Sequence, residues 1–155
     1  MNIASSVGRL VLVAGCFAVW AADTRTLPAG YCQWTAAEFE IREPLCALQG
    51  DARRGREIAA DTHLGNCIGC HQMPIPEADF HGTLGPPLHN VGARYTGAQL
   101  RMRVVDERQI NPVTVMPGFY ADPRRANRVM DEYWDKTILS AQQVEDVIAY
   151  LKTLK

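Results

Sequence analysis

One pentapeptide in this chain carries a specific chemistry: Cys67-Ile68-Gly69-Cys70-His71. Two thiols three positions apart on one helical turn reach the two vinyl groups on one edge of a haem and bond to them as thioethers. The histidine that follows then brings its imidazole beneath the iron. C-x-x-C-H is the attachment pattern of c-type haem for that reason. Two other chemistries use paired cysteines. A thioredoxin-like dithiol follows a strand in a βαβ unit, and no such pattern precedes Cys67. A zinc site wants a second ligand pair, which Cys32 and Cys46 do not supply at C-x-x-C spacing. The expected cofactor is one covalently attached haem c, held by Cys67 and Cys70, with His71 as an iron ligand.

Haem iron in an electron carrier takes a second axial ligand, and a methionine there raises the potential and closes the sixth site. The candidates are Met73, Met102, Met116, Met130, His63, His81 and His89. Met73 is two residues from His71, so the chain cannot carry it to the opposite haem face. Met102 lies on the apolar edge of a predicted helix and reads as core. Met116 sits in Thr114-Val115-Met116-Pro117-Gly118, where a proline-braced extended loop lets a thioether point inward from rigid backbone. Met116 is the expected second ligand, with His81, His89 and Met130 as alternatives.

These residues need elements to hold them. With 155 residues, 47% of them apolar, the chain is long enough for one domain with a sizeable core. A net charge of −1 argues against a dedicated nucleic-acid binder, which would be clearly basic. Asp51 can N-cap a helix running to about Asp61. Residues 72–94 hold four prolines and three glycines and read as a loop. Thr96-Gly97-Ala98-Gln99 is a capping box, with Leu100, Val104 and Val105 behind it on one face. Residues 106–136 are irregular. Ser140-Ala141-Gln142-Gln143 opens the clearest helix, where Val144, Val147, Ile148, Leu151 and Leu154 follow at helical spacing. Gly55 and Tyr150 could mark the crossing of the first and last helices. Arg94, Tyr95, Arg101 and Trp134 are candidate partners for haem propionates. Strand signals are weak, so the expected class is all-α with long loops.

The N-terminus reads as an address. Arg9 precedes an uncharged run, Leu10 to Ala22, too short for a bilayer span of about 20 residues. The run ends in small residues before Asp23, which suits signal-peptidase cleavage after Ala22. A second reading is lipidation at Cys16, which Val13-Ala14-Gly15 precedes; it would place the protein on a membrane. A third is a buried N-terminal helix. The division expected is 1–22 signal peptide, 23–50 N-terminal arm and 51–155 haem domain, with the mature protein in the periplasm. Within the arm, residues 35–42 read as a short helix starting at Thr35, with Glu38 as its capping-box partner. Export leaves Cys32 and Cys46 where disulfides persist. A bridge between them would close a loop worth about 3 kcal/mol in the chain-entropy model. Free buried thiols, or a bridge to a partner, are the alternatives.

From about Gly50 onward the sequence resembles the SoxX cytochromes of sulfur oxidation, within the class I cytochromes c. The resemblance is carried by Gly65-Asn66-Cys67-Ile68-Gly69-Cys70-His71-Gln72, Gly82-Thr83-Leu84-Gly85-Pro86-Pro87-Leu88, Val91-Gly92-Ala93-Arg94-Tyr95, Thr114-Val115-Met116-Pro117-Gly118-Phe119-Tyr120 and the stretch from Ile138 to Leu151. The haem motif is generic to cytochromes c; the Met-Pro-x-Phe-Tyr loop and the Gln-rich helix start are more particular. The resemblance implies a class I cytochrome c-like fold in which the Pro86 carbonyl accepts the second ring N–H of His71 and Leu88 packs on the ring. It implies a subunit of a periplasmic SoxAX heterodimer, an L-cysteine S-thiosulfotransferase that conjugates thiosulfate to a carrier-protein cysteine on SoxYZ with loss of two electrons. The thiosulfate chemistry would sit on the SoxA-type haem subunit. This chain would hold a His/Met haem, contribute no catalytic residue and pass electrons to a soluble cytochrome. A freestanding mono-haem electron carrier, and a haem enzyme or gas sensor with an open sixth site, are the rival readings.

Overall fold

The computed structural model describes residues 26–125 and 130–155. The expected cleavage site and Cys16 lie outside them. Four α-helices carry the described part: α1 (Ala52–Ala60), α2 (Val91–Arg94), α3 (Gly97–Asp106) and α4 (Ala141–Thr153). Short 3-10 turns punctuate the loops, and no β-strand forms among the described residues. None of the described helices is long and apolar enough to cross a membrane.

Each helix starts where a side chain replaces the missing intrahelical acceptor. The Asp51 carboxylate accepts from the Arg53 and Arg54 N–H groups. Thr96 with Gln99, and Ser140 with Gln143, form complete capping boxes. The apolar faces behind these caps then meet. α1 and α3 both pack on α4, and Met102, Val105, Val144 and Val147 are almost fully buried between them. Burying each such side chain stabilises by about 1.5–3 kcal/mol. α1 crosses α4 at Gly55: a β-carbon there would stand 1.9 Å from the Asp146 carbonyl and 2.9 Å from Tyr150 Cβ. The expected Gly55–Tyr150 crossing is therefore present, and only glycine allows it.

Two expectations are corrected. Residues 35–42 are not a helix. Ala37 and Glu40 exchange both backbone hydrogen bonds around Glu38 and Phe39, whose φ values are 53° and 62°. This two-residue turn wins because the segment has no apolar stripe to bury along a helix. Only Ile41 enters the core, where its N–H bonds Ala98 O at the start of α3. Glu38 pairs with exposed Arg42 instead of capping. The loop expected over 72–94 ends earlier, because Val91 is buried and α2 docks on the end of α4 through Gly92 N–H to Leu154 O.

Candidate haem centre

After α1 the chain turns back on itself. Gly65 N–H bonds Ile58 O, Asn66 N–H bonds Asp61 O, and Asn66 takes a left-handed conformation with φ 46°. That turn starts the 3-10 segment Cys67–Gly69. The Cys70 and His71 N–H groups both point at Cys67 O, at 3.2 and 2.9 Å. Both thiols and the imidazole thus belong to one turn of backbone, anchored by buried Ile68. Pro74 and Pro76 follow and prevent the turn from extending into a helix.

The 82–88 loop is stitched alongside. Gly82, Gly85 and Leu88 donate to the carbonyls of Ile68, Cys70 and Gln72, at 2.7, 2.8 and 2.9 Å. This alternate-residue ladder brings the Pro86 carbonyl to 2.7 Å from His71 Nδ1, which donates to it. A β-carbon on Gly85 would stand 2.2 Å from His71 Cε1, so the loop lies flat against the ring. Arg94 braces the far side by donating to Pro87 O at 2.9 Å. Leu88 is partly buried against the core.

Met116 is partly buried against the core, while Val113 and Val115 are 87% and 74% exposed. The loop is fixed on both sides. The Met116 N–H bonds Thr114 Oγ1 at 3.1 Å. Phe119 and Tyr120 donate to Val104 O and Val105 O at the end of α3, and Leu139 N–H bonds Phe119 O. Four of the other candidates are placed differently. Met102 and Met73 are core, and Met130 is 64% exposed. His81 accepts from Met73 N–H and donates to Ile75 O, so both its ring nitrogens serve its own loop.

This donor set fits a covalently held haem. His71 Nδ1–H is engaged by Pro86 O, which selects the tautomer that leaves Nε2 unprotonated for iron. Two thiols stand on the same turn, and no cluster of three His, Cys, Asp or Glu side chains competes as a metal site among the described residues. The sequence signature of the Cytochrome c family matches residues 52–155. The chain belongs to the cytochrome c family. It is also similar to a chain of the crystal structure of SoxXA from P. pantotrophus, at 37% identity and a TM-score of 0.71. The match covers 79% of this chain and 94% of that one. No curated protein sequence matches significantly. This is a SoxX-type cytochrome with an all-α, class I-like fold. It is a mono-haem electron-transfer protein with covalently bound haem c.

The charges that the cytochrome buries are structural. Arg101, proposed above as a propionate partner, is instead locked inside. Its Nε and one terminal nitrogen bond the two Glu145 oxygens at 2.7 and 2.9 Å, and its other terminal nitrogen bonds Ile41 O at 2.8 Å. Arg94 is committed to the Pro87 carbonyl, Tyr95 lies 4.5 Å beneath the Arg103 guanidinium, and Trp134 is half-exposed. Asp146 is nearly fully buried. Burial opposes its ionisation, but Arg54, the Asp51 N–H and Gln142 outweigh burial and hold its carboxyl below the usual range. Glu145 and Asp146 were not picked out from sequence. The signal was there: two adjacent carboxylates flanking the apolar stripe of the last helix. Burial pushes the Cys67 thiol up to about 12, so the unmodified side chain is a poor nucleophile at neutral pH.

Cys32 and Cys46, 14 residues apart, form a disulfide with Cα atoms 5.5 Å apart. The segment it closes joins the core through Ile41 and Leu45, and Leu45 N–H reaches Glu145 at 2.9 Å.

Proposed function

We propose that this cytochrome is the electron-transferring subunit of a SoxXA-type complex, paired with a SoxA-type haem subunit. The observation that carries this is the 37% identity spanning 94% of a chain in the SoxXA structure. In this reading Cys67 and Cys70 would form the thioethers, and His71 Nε2 and Met116 Sδ would hold the iron. The haem, when bound, supplies reversible one-electron storage. Every other contribution comes from the chain. Pro86 O holds the His71 ring by its Nδ1–H and makes the imidazole a stronger donor. Leu88, partly buried against the core, would pack beside the ring. Met116 would supply the second iron ligand and keep small ligands off, which suits transfer over catalysis.

The complex would act as an L-cysteine S-thiosulfotransferase, joining thiosulfate to a cysteine of a SoxYZ-type carrier. The nucleophile and the thiosulfate site belong to other chains. This chain takes the released electrons one at a time and passes them to a soluble cytochrome. Two features support a periplasmic setting: the cleavable leader read in residues 1–22 and the Cys32–Cys46 disulfide. Residues 23–50 are then an arm on a haem domain of residues 51–155.

Purification from the native host tests the proposal. Co-elution with a second haem-bearing chain is expected. A monomer that elutes alone would mean a freestanding carrier. Rapid carbon monoxide binding to the ferrous protein would mean an open sixth site and would remove Met116 from the ligand set.

A further inference from the structure

The disulfide arm and the Met116 loop meet at one aromatic cluster. Tyr31 and Tyr120 stack face to face, with ring centroids 4.8 Å apart and planes 5° apart. The Cys32 N–H donates to Tyr120 Oη at 2.8 Å. The Trp34 indole N–H lies 3.0 Å from Tyr31 Oη and 3.3 Å from Tyr120 O. Tyr120 is almost fully buried and stands four residues after Met116, on the stretch whose N–H groups are tied to the end of α3. On the other side, Cys32 is bridged to Cys46 in the turn Leu45–Ala47. Cys46 and Ala47 have φ values of 51° and 56°, a left-handed conformation that costs an L-residue energy and persists only when its surroundings hold it. Leu45, buried beside them, supplies that hold.

We propose that Tyr31, Tyr120 and the Cys32–Cys46 bridge are positioning elements for the Met116 ligand. The bridge fixes the arm, the arm presents the Tyr31 ring, and the stacked Tyr120 ring clamps the C-terminal end of the ligand loop. Upstream of this anchored end the loop is held more loosely: among the described residues the Met116 and Thr114 N–H groups bond within the 111–116 turn and Val113 and Val115 are exposed, so the tie of Phe119 and Tyr120 to α3, backed by the stack, is what fixes it. Loosening the clamp therefore raises the fraction of time the thioether is off the iron, without touching either ligand. This inference rests on Met116 being the sixth ligand.

The test uses the full-length ferric holoprotein. Exogenous imidazole replaces an axial methionine only when the loop opens, so its binding rate reads the opening directly. Tyr31→Ala, and separately Cys32→Ser with Cys46→Ser, are each expected to bind imidazole about ten-fold faster, the upper end of what an aromatic pair is worth. Both are expected to weaken the near-infrared thioether-to-iron charge-transfer band. Tyr120→Phe keeps the stack and loses only the Cys32 hydrogen bond, so it is expected to fall between them and wild type. Phe39→Ala, an exposed arm substitution away from the stack, is expected to leave the rate unchanged. If the cysteine variant fails to fold, Tyr31→Ala decides alone. Rates within two-fold of wild type in Tyr31→Ala would overturn the inference. So would a lower melting temperature with an unchanged imidazole rate, because that is all a merely stabilising contact would give. A separate Met116→Ala control that retains the charge-transfer band would refute the ligand assignment and this inference with it.

Discussion

Gly85→Ala is the sharpest probe of how the chain holds the imidazole. The added β-carbon would stand 2.2 Å from His71 Cε1, 2.5 Å from Nδ1 and 2.7 Å from Nε2. Resting contact is about 3.5–4.0 Å, so ring and loop must separate by more than about 1 Å. The ring has little room to yield, because its backbone is tied to Cys67 O and its Nδ1 to Pro86 O. A shift of that size carries the 2.7 Å Nδ1–Pro86 contact beyond hydrogen-bonding distance. Overpacking costs about 1–3 kcal/mol and the lost hydrogen bond about 1 kcal/mol, so the holoprotein loses about 2–4 kcal/mol. At about 3 °C per kcal/mol for a domain of this size, the melting temperature falls by about 6–12 °C. The potential moves too. The Nδ1–H bond strengthens imidazole donation and so favours ferric iron; losing it raises the potential. If the whole hydrogen bond is felt differentially, the rise is at most about 40 mV for a one-electron couple. Thermal unfolding followed by circular dichroism, together with a spectroelectrochemical titration, measures both. A Gly85→Ala protein with wild-type melting and wild-type potential would refute the close packing of the 82–88 loop on His71.

Other perturbations separate the ligands from the scaffold. Met116→Ala is expected to abolish the near-infrared charge-transfer band of the ferric protein and to open the ferrous iron to carbon monoxide, both readable in absorbance spectra. Glu145→Gln leaves Arg101 buried without its counter-charge and is expected to cost about 3–5 kcal/mol in denaturant unfolding, with the haem spectrum of the folded protein unchanged. Acid stability should report Asp146, whose carboxyl is held below the ordinary value of 3.8 in the folded state. A depressed folded-state pKa contributes stability that is present above the ordinary value and lost as pH falls from there toward the folded one. Unfolding free energy is therefore expected to drop as pH falls below about 4, with a shallower slope in Asp146→Asn, measured by urea titration at stepped pH.

Several features of this cytochrome are local, and local features can be read from a one-dimensional string. The attachment pentapeptide needs one turn of backbone, and Cys67 to His71 lie within one turn. The capping boxes at Thr96 and Ser140 satisfy N–H groups three residues on, so the pattern and the bond are nearly the same statement. The Gly55 crossing was visible because a small residue in an apolar helix face has few other uses. The arm departs from the helix expected over 35–42 because the segment has no apolar stripe to bury and its one core residue is claimed by a distant partner. Ile41 must reach Ala98 O, and no local pattern records that. Arg101 was misplaced for the same reason: an arginine on a helix reads as solvated until Glu145, 44 residues away, is known to face it.

From sequence alone came the cofactor type, the helical class, the two cysteines expected to carry the thioethers and the pair of cysteines left over for a bridge. Each follows from residue chemistry at short spacing. The tertiary structure makes the Pro86 O–His71 contact that the resemblance implied, and it alone decided that Glu145 and Asp146 are buried charges and that the Tyr31–Tyr120 stack joins the disulfide arm to the Met116 loop. Those contacts span 15 to 95 residues of chain. They exist because burying the faces of α1, α3 and α4 together brings remote segments into one small volume, where desolvated polar groups must find whichever partners the packing supplies.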